Sequence, residues 1–211
     1  MKNNTLVIAV TTGKGGAEFN RECNAFADHH RQLGNNVTVH KLKHDKQWKQ
    51  YHKVLKIISE HPHQIERLVF FCHGTWKRLK CGFHIWNVGD LVKAIKPKVD
   101  GYLEVALYAC SCGRARFDWP WKMTRKTYVG IVRGKEGFAA RLCNALMGSS
   151  IKSDMYCHSS WGHTTRNPYV YIYSDYKGMI VRELKVQKGS PEWNKWRERL
   201  KTDYRFDAPF E

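Results

Sequence analysis

Two apolar runs in this chain end abruptly on reactive side chains. LVFFCHGTW (68–76) delivers His73 with Gly74 behind it, and LEVALYACSCG (103–113) delivers Cys110 with Gly113 three residues on. His73 and Cys110 are 37 positions apart (110 − 73). Read as buried parallel strands, the two runs bring these residues together at the carboxyl edge of an open α/β sheet, where such folds hold their sites. The chemistry such a pair supports is nucleophilic cysteine catalysis: a thiolate attacks a carbonyl carbon and an imidazole moves the proton.

The elements that must position the pair follow from periodicity. TLVIAV (5–10) reads as the first strand. Residues 17–33 show helical spacing at Phe19, Cys23, Phe26, Ala27 and Leu33, ended by Gly34 and Asn35-Asn36. VTVHKL (37–42) is a second strand. Residues 48–61 form a basic amphipathic helix with Trp48, Tyr51, Leu55 and Ile58 on one stripe. FHIWNV reads as a short edge strand, and GDLVKAIKPK as a short helix capped by Asp90. Strands alternating with helices predict a mostly parallel sheet with right-handed crossovers.

The alternation breaks at 114–136, a basic segment holding Arg114, Arg116, Lys122, Arg125, Lys126, Arg133 and Lys135 among Trp119, Pro120 and Trp121. It reads as a long exposed loop with a short strand at YVGIV. Beyond it, KEGFAARLCNALMG reads as a helix, and 151–158, 168–174 and 179–186 as strands. The expected organisation is one α/β domain over 1–188. A C-terminal helix over 189–211, started by Ser190 and Pro191, docks through Trp193, Trp196 and Leu200.

The strand endings and their order resemble the caspase-like cysteine peptidases, the group of caspases, metacaspases, legumains and gingipains. The resemblance covers roughly 5–175 and rests on Phe71-Cys72-His73-Gly74 and Tyr108-Ala109-Cys110, with Phe-Ala-Ala-Arg-Leu after the loop. Legumain-like and metacaspase-like members continue with x-Ser-Gly; here Ser111-Cys112-Gly113 puts Cys112 where that serine would stand. The resemblance implies a three-layer α/β sandwich with a mostly parallel sheet, and a cysteine endopeptidase. Cys110 is then the nucleophile, His73 the general acid and base, and Gly74 N–H an oxyanion donor beside that of Cys110. It also implies that the strand-to-helix turn Thr12-Gly13-Lys14-Gly15-Gly16 borders the pocket for the residue before the cut. Lys14, together with Ser159 and Trp161, is thus a candidate substrate-binding residue. No metal or organic cofactor is required by this reading.

Other constellations point elsewhere. CHGTW (72–76) has a near twin in CHSSW (157–161), and His73-x-Thr75 with His158-x-Ser160 resembles the paired motifs of two-histidine phosphoesterases acting on nucleotides or RNA. Cys72, Cys81, Cys110 and Cys112 make a third reading, a zinc site, although Cys-x₂-Cys knuckles are absent. A catalytically silent caspase-like binding module is a fourth.

Composition bounds the partners. The chain has 211 residues, a net charge of +17 and seven cysteines. That charge predicts contact with polyanions, including sequence-tolerant nucleic-acid contact, beside a protein or peptide substrate. No apolar run approaches the roughly 18 residues of a membrane span, so no membrane partner is expected. TLVIAV is shorter than a signal-peptide core, and the odd cysteine count suits reduced thiols; the expected location is the cytoplasm.

Overall fold

In a computed structural model the chain is described over residues 3–113, 129–130, 137–158, 170–174, 182–185 and 191. It is an α/β protein built on one large sheet. In chain order the elements are β1 (Asn4–Val10), α1 (Gly16–Gln32), β2 (Asn36–Leu42), α2 (Gln47–Ser59), β3 (Arg67–Phe71), β4 (Gly74–Thr75), β5 (Arg78–Leu79) and β6 (Phe83–His84). There follow α3 (Val88–Ile95) with a 3₁₀ turn (Lys96–Lys98), β7 (Tyr102–Tyr108), β8 (Val129–Gly130), α4 (Phe138–Gly148), β9 (Lys152–His158), β10 (Val170–Ser174) and β11 (Arg182–Lys185).

The large sheet runs β2-β1-β3-β7-β9-β10-β11-β8. Its first five strands are parallel, and β10, β11 and β8 are added antiparallel. β1, β3 and β7 read as continuous apolar runs because the sheet is covered on both faces. Alternation along β1 divides the core. Leu6, Ile8 and Val10 face one cluster with Val54 and Ile58 of α2, Leu91 and Ile95 of α3, and Leu142 of α4. Val7 and Ala9 face the other, with Phe19, Cys23 and Phe26 of α1. Helices therefore lie on opposite faces of the sheet, and the chain reverses direction across it at β1. Open α/β sheets hold their ligand crevice at such a switch point, outside the carboxyl ends of the flanking strands.

Four local expectations are corrected. The buried face of α2 is Gln50, Val54 and Ile58, while Trp48 is 60% exposed. Of the expected stripe, Ile58 is buried and Tyr51 and Leu55 pack against the same core, so only Trp48 falls outside it. Leu33 does not join the core face of α1; it is the C-cap residue and is 57% exposed. Asn87, not Asp90, is the N-cap residue of α3. Asp90 sits in the first turn and accepts a hydrogen bond from Tyr51 Oη at 2.8 Å, tying α3 to α2. Phe83–His84 pairs not with the large sheet but within a small one, β4-β5-β6, that folds up directly after His73. The reading of 114–136 lies outside the described residues except at β8, as does that of 189–211 except at Pro191. No helix among the described residues is long and apolar enough to cross a membrane.

Candidate active site

β3 and β7 are neighbours in parallel register, with Phe71 beside Tyr108, and Cys72 N–H extends the ladder to Tyr108 O at 3.3 Å. Carried two residues on, that register sets His73 beside Cys110. Parity puts both on the α1 side, because Phe71 and Tyr108 pack there and side chains alternate. Beyond the strand ends is a cavity of about 420 Å³ lined by His73, Gly74, Cys110, Lys14, Lys80 and His44, with Val10, Thr12, Cys72 and Thr75. It lies at the carboxyl ends of β1, β3 and β7, beside the reversal at β1.

The His73 ring is held from three sides. Its Nε2 hydrogen-bonds Lys14 O. Its ring meets Phe19 edge-on, centroids 5.1 Å apart. Gly15 packs beneath it: a Cβ there would lie 3.0 Å from ring atoms Cε1 and Nε2. A carbonyl only accepts, so Nε2 carries the proton in the neutral ring and Nδ1 keeps the lone pair. The strand-to-helix turn 11–16 therefore acts through its backbone, and its αL glycines Gly13 (φ 80) and Gly15 (φ 76) shape the bend that aims Lys14 O at the imidazole. Lys14 was identified from sequence for its side chain; its carbonyl and the neighbouring Gly15 were not. The signal for them was the Gly-x-Gly spacing between a strand and a helix.

Cys110 is half-buried, whereas the other six cysteines are buried. The turn after it points its neighbours inward. Ser111 takes a left-handed backbone (φ 54), the Cys112 thiol donates to Ala109 O at 3.1 Å, and Gly113 N–H donates to His158 O at 2.9 Å. Tyr173 Oη closes the turn by donating to Gly113 O at 2.8 Å. Cys112 is 0% exposed, so of these two thiols only Cys110 opens to the cavity. Gly74 is required by closeness: a Cβ there would lie 2.8 Å from Cys110 O and 2.9 Å from Ala109 Cβ.

The strained Ser111 was missed because a left-handed serine carries no sequence mark. Its hydroxyl is buried with no hydrogen-bond partner among the described residues. Left-handed backbone costs about 1–2 kcal/mol for a residue with a Cβ. Ser111→Gly removes both that strain and the orphaned hydroxyl, against about 0.5–1 kcal/mol of glycine entropy. The expected result is an unchanged or slightly higher melting temperature, by about 3 °C at most. A thermal-shift measurement showing a fall of several degrees would mean that the hydroxyl itself holds the turn.

The other candidates are placed as follows. His158 ends β9 opposite Val170, is 1% exposed, and is not among the residues lining the cavity; its ring lies 6.3 Å from that of Tyr108, centroid to centroid. Ser159 and Trp161 lie outside the described residues. Among the described residues no group of three or more His, Cys, Asp or Glu side chains is placed to hold a metal ion. Lys80 and His44, which sequence reasoning did not single out, line the cavity beside Lys14, and no carboxylate among the described residues does. The chain matches no protein-family model, and no curated protein matches it.

Proposed function

We propose that the protein is a caspase-like cysteine endopeptidase, with Cys110 as nucleophile and His73 as general acid and base. The observation that carries this reading is the shared cavity: His73 and the most accessible cysteine of the chain line it together, at the switch point of a doubly wound sheet. Cys110 Sγ attacks the scissile carbonyl. Backbone N–H groups of Gly74 and Cys110 receive the oxyanion, an interaction typically worth about 10²–10³ in rate per donor. His73 protonates the leaving amine and then draws a proton from the water that frees the acyl group. The clamp on Nε2 leaves Nδ1 as the working nitrogen.

The cavity's charge bears on the residue before the scissile bond. With Lys14 and Lys80 on its wall and no carboxylate among the described lining residues, an acidic side chain is favoured. Exposed charge pairs contribute only about 0.2–1 kcal/mol each. Lys14→Glu and Lys80→Glu are therefore each expected to lower kcat/KM on an acidic-residue peptide several-fold and to raise it on the matching lysine peptide. A peptide-library profile that stays the same in the double variant would remove these lysines from substrate selection.

The reading itself is tested by turnover of a fluorogenic peptide library by wild type and by Cys110→Ala. Cleavage that disappears with Cys110 supports it. Cleavage that survives in Cys110→Ala overturns Cys110 as the nucleophile, and a correctly folded wild type that cleaves nothing overturns the reading and leaves the same fold acting as a binding module.

A further inference from the structure

Two thiols outside the proposed dyad touch beneath the cavity. Cys72 Sγ and Cys81 Sγ are 3.9 Å apart, and the residues are 1% and 0% exposed. The hairpin and the turn after it set this contact. In the hairpin that follows β3, Gly74 pairs with Leu79 and Thr75 with Arg78, and Lys80 N–H donates to His73 O at 2.7 Å. Lys80, Cys81 and Gly82 then turn the chain into β6, with Gly82 N–H donating to Leu79 O at 3.2 Å, and this turn sets the Cys81 thiol against that of Cys72.

We infer that Cys72 and Cys81 are a redox-active dithiol which closes to a disulfide below the hairpin presenting His73 and Lys80, with hydrogen peroxide as the oxidant. Cys72 is among the residues lining the cavity, which gives the oxidant its route to the pair. Contact with the Cys72 thiol, and then burial, hold the Cys81 thiol well above its ordinary pKa. Cys72, the member of the pair that lines the cavity, attacks the peroxide first. The O–O bond breaks, Cys72 becomes a sulfenic acid, and one water leaves. Cys81 sulfur then displaces the hydroxyl from Cys72; the S–S bond forms and its thiol proton departs with the second water. The two thiols have lost two electrons and two hydrogens, and the peroxide has gained them. An external thiol reverses the change by exchange.

Closure draws the sulfurs from 3.9 Å to about 2.05 Å, one residue before His73 and one residue after Lys80. It ties the end of β3 covalently to the turn between β5 and β6, at the floor of the cavity. This inference does not rest on the peptidase reading, because it concerns the thiols' own chemistry.

The test uses the full chain. Wild type is treated with hydrogen peroxide, unfolded in an alkylating reagent, digested, and mapped by mass spectrometry with and without dithiothreitol. The expected result is a linked peptide pair containing Cys72 and Cys81, two hydrogens lighter than its separate parts and released by dithiothreitol. In Cys81→Ser the link disappears, and Cys72 is recovered as higher oxides. The wild-type readout stands even where that variant folds poorly. Recovery of both Cys72 and Cys81 alkylated after Cys110 has been oxidised overturns the proposal. So does a reproducible link from Cys72 to Cys110 in place of Cys81.

Discussion

Cys110→Ala is expected to reduce peptide turnover to the uncatalysed background, and His73→Ala to lower kcat by about 10²–10⁴. Neither change disturbs the fold much. Cys110 is half-buried at a strand end, and the α1 side of the core is filled by Phe19, Phe26 and Phe71, which remain. The two losses should not add, because the imidazole works only on a nucleophile that is present. A thiol alkylator should mark Cys110 ahead of the six buried cysteines. The measurements are progress curves on the three proteins, circular dichroism, and mass mapping after brief alkylation. Equal labelling of several cysteines, or a His73→Ala variant with wild-type kcat, would break the link between the cavity and the chemistry.

Glycine substitutions should reach the same site from the backbone. Gly74→Ala puts a methyl 2.8 Å from Cys110 O, closer than real Cβ atoms come, and the atom it meets is backbone. The ends of β3 and β7 must then part, which moves His73 and Cys110 relative to one another. Overpacking of this kind costs about 1–3 kcal/mol, and a shift near 1 Å at reacting groups costs about 10²-fold in rate. Gly15→Ala differs instructively. Its φ of 76 makes any side chain unfavourable by about 1–2 kcal/mol, and the added methyl displaces the His73 ring without touching Cys110. Gly74→Ala should therefore lose both stability and alkylation selectivity at Cys110, while Gly15→Ala keeps Cys110 labelling and loses turnover. Thermal melts paired with alkylation rates separate the two. A Gly74→Ala protein with wild-type melting and turnover would mean that the strand ends do not approach as closely as the geometry requires.

Much of this arrangement was legible in the chain. The apolar runs TLVIAV, RLVFF and YLEVALY are buried parallel strands because strands covered on both faces have no polar alternation to interrupt them. His73 and Cys110 stood out because each breaks such a run at its carboxyl end. The helix faces were less legible. In α2, period alone adds Trp48 to the stripe of Tyr51, Leu55 and Ile58, whereas the structure leaves Trp48 exposed and buries Gln50 and Val54 on the packed face. A propensity argument could not have chosen Asn87 over Asp90 as the cap, since both residue types serve. The small sheet β4-β5-β6 escaped notice because two-residue strands have no period to read.

The sequence by itself determined the α/β class, the order of the elements and the two residues most suited to chemistry, because these depend on local periodicity and on where apolar runs stop. Only the tertiary structure decided which groups meet them. That Lys14 acts through its carbonyl, that Gly15 lies beneath the imidazole, that Cys112 turns inward while Cys110 opens outward, and that Cys72 touches Cys81 all follow from register and turn geometry between segments distant in sequence. A one-residue slip in any of those pairings reverses which face a side chain takes, and register is fixed by burial across the whole sheet, not by the residues that occupy the site.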